Sequence, residues 1–230
     1  MKARSSLARV VSVVLGSVLL TVLIGAPHDS ASAAACWEGN FAVGGYDATG
    51  YGVRGKLKVT DPNTVCMWSN QVAVYINEDN WVEGGWQESP YNFGDSGKHP
   101  WTYRKKEGKS STKLFPGHWL QANSYYTFKL VSRAVPGTYV WDFYLGDTLL
   151  HYWDMGRGEG TVMAQQERWN SADGQENGSP AGDSHIKGLK KANIDRQFVN
   201  WSYLNPQDLD GDYRYFEYPW DNTQFWVWPD

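Results

Sequence analysis

The sequence predicts an all-β protein, an antiparallel β-sandwich of short strands. Three observations predict it. Aromatic residues make up 15% of the chain and glycines number 24, and aromatic and β-branched side chains suit half-buried pleated surfaces. Apolar residues alternate with a period of two, in short runs separated by clusters of Gly, Pro, Asn and Asp. No long stretch keeps the apolar period of a helix.

The chain opens with Lys2, Arg4 and Arg9, then an apolar run from Val10 to Gly25, then Ala31-Ser32-Ala33. A basic start, a short apolar stretch and a small-residue cleavage pattern read as a secretory signal peptide rather than a membrane span. Residues 1–35 are therefore assigned to the signal and 36–230 to one β-sandwich domain, long enough to bury its own core. The mature protein is expected to be secreted and extracellular. Residues 1–35 hold three basic residues and one acidic residue, Asp29, so their removal moves the formal charge from −4 to −6. A mildly acidic chain argues against nucleic acid or an anionic membrane as partner. The two cysteines, Cys36 and Cys66, are expected to form one disulfide in an exported protein.

Taken in order, strands are expected at Phe41–Tyr46 and at Tyr51–Thr60, where Tyr51, Val53, Leu57 and Val59 share one parity. Asp61-Pro62-Asn63 is a turn. The next strand carries Val72, Val74 and Ile76 alternating with Ala73, Tyr75 and Asn77. Glu78-Asp79-Asn80 breaks it, and Trp81-Val82-Glu83-Gly84-Gly85-Trp86 follows. Residues Ser89–Ser111 are polar and rich in Gly and Pro, with a short strand at Trp101 and Tyr103, and Arg104–Lys113 reads as a solvated turn. Ser124–Arg133 and Thr138–Leu145 alternate cleanly. Gly146-Asp147 then makes a hairpin turn into Thr148–Trp153. Thr161–Trp169 is another strand, Asn170–Pro180 an exposed loop, Asp183–Lys191 a short helical turn, and Phe198–Leu204 a strand. The aromatic-rich end runs from Tyr213 to Trp228.

Two strands carry candidate chemistry. In the first, Trp81, Glu83 and Gly85 share a face, so an acidic residue stands among indoles and beside glycines that leave room for a ligand. Desolvation there favours a raised pKa and acid–base work. In the second, Thr161, Met163, Gln165 and Glu167 share a face. If both faces line one groove, the site holds two carboxylates and an amide, which suits hydrolysis: one carboxylate takes a proton from water while its partner protonates the leaving group or steadies the oxyanion. The alternative is ordinary polar residues on a solvated sheet face.

The stretch Val82-Glu83-Gly84-Gly85-Trp86-Gln87, followed by Pro90-Tyr91-Asn92-Phe93-Gly94-Asp95, resembles the first catalytic strand of neprosin-type glutamic peptidases. The order of strands also resembles that of the related fungal (eqolisin-type) enzymes. The resemblance implies an antiparallel sandwich of concanavalin-like or jelly-roll type. It also implies cleavage of polypeptide substrates at acid pH by a Glu–Glu or Gln–Glu dyad, with no metal and no cofactor. Glu83 falls at the first-strand glutamate, acting as base for water. Either Gln165 or Glu167 completes the dyad, because Thr161–Trp169 lacks the family's Trp-Gly-Gly context. Trp81, Trp86 and Trp153 are the expected substrate-binding indoles.

A member that kept the sandwich and lost catalysis is an alternative. So is a secreted protein that binds or cleaves polysaccharide, since 13 tryptophans can stack on sugar faces. Trp81, Trp86, Trp101, Trp119 and Trp153 are candidates there, and Glu83 with Glu167 would form a glycosidase pair. Asp208-Leu209-Asp210-Gly211-Asp212 has the alternating carboxylates of a calcium loop but no glutamate to complete it. A plain Asp-Gly turn is the favoured reading.

Overall fold

A computed structural model describes residues 40–61, 67–169, 184–208, 215–217 and 221–228. Among the described residues, fifteen strands form two antiparallel sheets stacked as a sandwich. The first sheet has the order β13 (Asn205–Asp208), β1 (Asn40–Gly50), β10 (Gly160–Trp169), β3 (Met67–Asn77), β4 (Asn80–Glu88), β5 (Lys98–Lys106) and β6 (Lys109–Leu114). The second has β14 (Tyr215–Glu217), β15 (Phe225–Trp228), β11 (Ser184–Ala192), β2 (Gly52–Lys58), β7 (Tyr125–Val135), β8 (Thr138–Leu145) and β9 (Thr148–Asp154), with β12 (Phe198–Asn200) paired to β11. A single helical turn, α1 (Pro90–Phe93), follows β4.

Alternation decides which residues meet between the sheets. From the first sheet come Trp68, Val72 and Val74, Val82 and Trp86, Val162 and Ala164; from the second, Val53 and Leu57, Phe128 and Leu130, Trp141 and Phe143, Ile186 and Leu189. These side chains are buried and form one core, as two facing sheets require. Gly84 makes the close approach possible. A Cβ there would lie 2.5 Å from the Phe143 ring, so any other residue would have to displace that ring.

The hairpin at Gly146 forms as expected, with Gly146 at φ +60. Two expectations are corrected. Arg104–Lys113 is not a solvated turn but the β5–β6 hairpin, closed by Glu107 and Gly108 at φ +52 and +74. Two consecutive positive φ angles match the twist of flanking strands. Of the helical turn expected over Asp183–Lys191, the described part from Ser184 onward is strand β11, and a bulge between Lys187 and Lys190, with Gly188 at φ +62, disguises its alternation. The signal segment, both cysteines and the loop Asn170–Pro180 lie outside the described residues.

Candidate functional site

The outer face of the first sheet is built from the residues of opposite parity to the core. Strand β3 supplies Ser69, Gln71, Ala73 and Tyr75. Its neighbour β10 places Glu167 opposite Ser69 and Gln165 opposite Gln71. On the other side, β4 places Gly85 opposite Gln71, Glu83 opposite Ala73 and Trp81 opposite Tyr75. Strand β5 then sets Tyr103 beside Glu83 and Trp101 beside Gly85. Glu83 and Glu167 thus flank β3 on diagonals that meet at Gln71, within reach of long side chains.

Gln71 occupies that meeting point. Its Nε2 donates to Glu167 Oε2 at 3.2 Å and to Glu83 Oε2 at 3.4 Å. Ser69 Oγ donates to Gln71 Oε1 at 2.7 Å, which fixes the orientation of the amide: its oxygen is occupied, so its nitrogen faces the carboxylates. Gln71 and Ser69 are fully buried and both glutamates are 5% exposed. Small neighbours make the room, for Ala73 and Gly85 stand beside the two long side chains. A Cβ on Gly85 would lie 2.0 Å from the Asn70 carbonyl oxygen.

Burial raises the pKa of Glu83 well above its usual 4.5, and the negative charge of Glu167 raises it further, against a smaller lowering from the Gln71 hydrogen bond. Two carboxylates this close cannot both ionise freely. The same pair acts on Tyr103, whose hydroxyl is pushed up to about 12, first by burial and then by the two glutamate charges, despite its bond to Ser110.

The main chain of Glu83 is held from the core side. Thr102 Oγ1 donates to the Glu83 carbonyl at 2.7 Å, and Trp153 Nε1 donates to Thr102 Oγ1 at 3.1 Å. Trp153 is therefore a strut from the second sheet, not a side chain on the glutamate face, and its expected substrate contact is corrected. Trp86 is corrected likewise: it packs in the core with its Nε1 donating to the Lys58 carbonyl at 3.0 Å. Trp81 does share the glutamate face. It clusters with Tyr75, Trp101 and Tyr103, under the ammonium of Lys105. Trp119 stands apart, 66% exposed, with its ring against His99.

Of the sequence candidates, Glu83, Glu167 and Gln165 all reach one face, and the geometry links Glu167 to Glu83. Gln165 lies one cross-strand pair away, beside Gly44 and Gln71. The residue that sequence reasoning missed is Gln71. Ser69, Gln71 and Ala73 alternate with Trp68, Asn70 and Val72, so a polar parity opposite an apolar one was the available signal. Asp208 is in β13, and Asp210 and Asp212 lie outside the described residues. Among the described residues no group of three His, Cys, Asp or Glu is placed to hold a metal ion, and no helix is long and apolar enough to cross a membrane.

No protein-family model matches the chain, and no curated protein matches it in sequence. Solved structures do match in fold. Scytalido-glutamic peptidase bound to a transition-state analogue inhibitor aligns with 84% of this chain and 99% of its own, at a TM-score of 0.53 and 8% identity. The same peptidase with a peptide-based transition-state analogue aligns with 83% of this chain and 98% of its own, at 0.50 and 10%. A β-glucanase of Bacillus licheniformis aligns more loosely, with 79% of this chain and 65% of its own, at 0.39 and 15%. At these identities the likeness is one of fold: the chain is an antiparallel β-sandwich similar to that of the eqolisin-type glutamic peptidases.

Proposed function

We propose that the protein is an acid-acting, metal-independent peptidase whose working groups are Glu83, Glu167 and Gln71. The observation that carries this reading is one buried amide donating to two buried carboxylates on one sheet face. The resemblance of the Glu83 strand to neprosin-type enzymes and the fold likeness to scytalido-glutamic peptidase support it.

The pKa directions revise the division of labour expected from sequence. Burial and the Glu167 charge hold a proton on Glu83, so Glu83 is the proton donor and Glu167 the base. Glu167 takes a proton from water as the water oxygen bonds to the scissile carbonyl carbon. The oxyanion that forms accepts from the protonated Glu83 carboxyl, while Gln71 Nε2, with one hydrogen on each glutamate, holds the two carboxyl groups in place before reaction. Glu83 then passes its proton to the departing nitrogen as the C–N bond breaks. Activity requires Glu83 protonated, so it falls as pH rises. Because the Glu83 pKa is raised, that fall is centred above the usual 4.5.

The test is digestion of an unfolded protein between pH 2 and pH 8 by wild type, Glu83→Gln and Glu167→Gln, with a chelator in parallel. Chelator-resistant cleavage at acid pH, reduced about 10²–10⁴-fold in each variant, is expected. Absence of cleavage at every pH by correctly folded wild type would overturn the reading.

A further inference from the structure

The outer face of the second sheet carries the opposite charge to the chain as a whole. Arg54, Lys56 and Lys58 of β2 point outward, since Val53 and Leu57 point into the core. On one side Lys56 is the direct cross-strand partner of Lys187, and Arg54 of Lys190. On the other side Arg54 is the partner of Lys129 and Lys58 of Tyr125. Lys190, Arg54 and Lys129 therefore form a row of three cations across three neighbouring strands. Lys187 and Lys56 form a second row beside it. Like charges directly opposite one another in a sheet are destabilising, and the full chain carries a formal charge of −4. Yet among the described residues Arg54, Lys56, Lys58, Lys187 and Lys190 form no ion pair with a carboxylate. Lys129 approaches one, Asp147, at 3.9 Å, and that carboxylate is fully exposed.

The aromatic side chains beside the cation rows are each covered on one side. Lys187 Nζ stands 3.7 Å over the Tyr125 ring, and Lys129 Nζ 4.1 Å over Tyr144. The ring of His185 stacks on Trp226 at 4.1 Å, and its Nδ1 bonds the Tyr125 hydroxyl at 2.6 Å. Gln224 Nε2 donates to Asp221, which turns Gln224 Oε1 to accept from His185 Nε2–H. His185 Nδ1 is then the acceptor for the Tyr125 O–H. The cations thus stand on a braced aromatic floor, whereas single-stranded nucleic acid needs open aromatic faces for its bases.

We propose that this face binds an extended acidic polysaccharide, a polyuronate, lying across strands β11, β2 and β7. Neighbouring strands are about 4.8 Å apart, so the long side chains of the two rows together cover a strip of the sheet, and an extended polymer with a carboxylate on every sugar presents those that face the sheet to that strip. Lysine ammonium groups act as point charges and suit carboxylates presented by a flexible polymer. The site lies on the opposite outer face of the sandwich from Glu83, Glu167 and Gln71 and does not depend on their chemistry.

The experiment is a titration of polygalacturonate into Glu83→Gln protein at pH 6 in low salt, read by tryptophan fluorescence and by co-sedimentation. Neutral dextran, a single-stranded DNA oligomer and phosphatidylglycerol vesicles are run alongside. Polygalacturonate is expected to bind more tightly than any of these, with affinity falling as salt rises. The double variant Lys56→Gln/Lys187→Gln is expected to weaken it at least tenfold. The control Lys109→Gln/Lys113→Gln, on β6 of the other sheet, is expected to leave it unchanged. No binding, equal loss in the control, no loss in the double variant, or equal or tighter binding of DNA or vesicles would each overturn the proposal. None of these outcomes bears on cleavage by wild type.

Discussion

Glu83 ties stability to pH in a direction of its own. Its folded-state pKa is raised above the usual 4.5 by burial and by Glu167, so the folded protein holds a proton that the unfolded chain has released. The contribution of this residue to stability is complete below about 4.5 and is lost as pH rises through the raised value. His185, lowered from 6.5 to about 4 by burial and by the neighbouring lysines, works oppositely, and its contribution is lost as pH falls between those values. Comparing wild type with Glu83→Gln cancels His185. The two proteins should unfold at the same urea concentration at pH 3, and the variant should be the more stable at pH 7. Equal midpoints at both pH values would show that Glu83 is not held protonated. Gln71→Ala removes one donor from two buried acceptors and should cost about 1–3 kcal/mol in denaturant unfolding at neutral pH.

At the scale of strands, the two glycines after Glu83 have different tasks. Gly84 faces a ring in the opposite sheet, whereas Gly85 faces the main chain of its neighbour β3. A ring can tilt but a paired strand cannot, so Gly85→Ala should lower stability more than Gly84→Ala, which should cost about 1–3 kcal/mol as an overpacked core does. Thermal unfolding of the pair checks the order. Local pattern was enough to find β4, β8, β9 and β10, because alternation and turn residues are written within each segment. It did not decide which face of β4 or β9 turns inward, since Trp86 and Trp153 of the core read as substrate-binding indoles. It was not enough for Gln71, because the role of that residue comes from β4 and β10 lying on either side of β3. Nothing in the sequence of β3 names those neighbours. The same limit explains Trp153, whose indole is read as a surface platform until the second sheet is seen to carry it into the core. Strand β11 was missed for another reason: its bulge at Gly188 interrupts the period on which the reading depends.

For the whole molecule, the net charge of −4 concealed how charge is sorted, with a carboxylate pair on one outer face and rows of cations on the other. The two faces should act independently. Glu83→Gln should retain polyanion binding, and Lys56→Gln/Lys187→Gln should retain the wild-type rate of protein digestion, each within a factor of about two, as expected for distant sites without shared partners. A loss of digestion in the lysine variant would mean that the faces are coupled through the sandwich. The sheet order also bears on folding, because pairings between segments distant in sequence close slowly. Refolding on the scale of milliseconds to seconds is expected in a stopped-flow measurement of tryptophan emission.

The order β1-β10-β3 sets the moment at which the carboxylate pair comes into being. Gln71 and Glu167 are 96 residues apart in the chain, and β10 must slot between two strands made long before it. A growing chain that has not reached β10 has Glu83 but no partner for it. The pair therefore assembles only after synthesis has passed Glu167 in a chain of 230 residues, so the site cannot form on the early nascent chain even though Gln71 and Glu83 are already made.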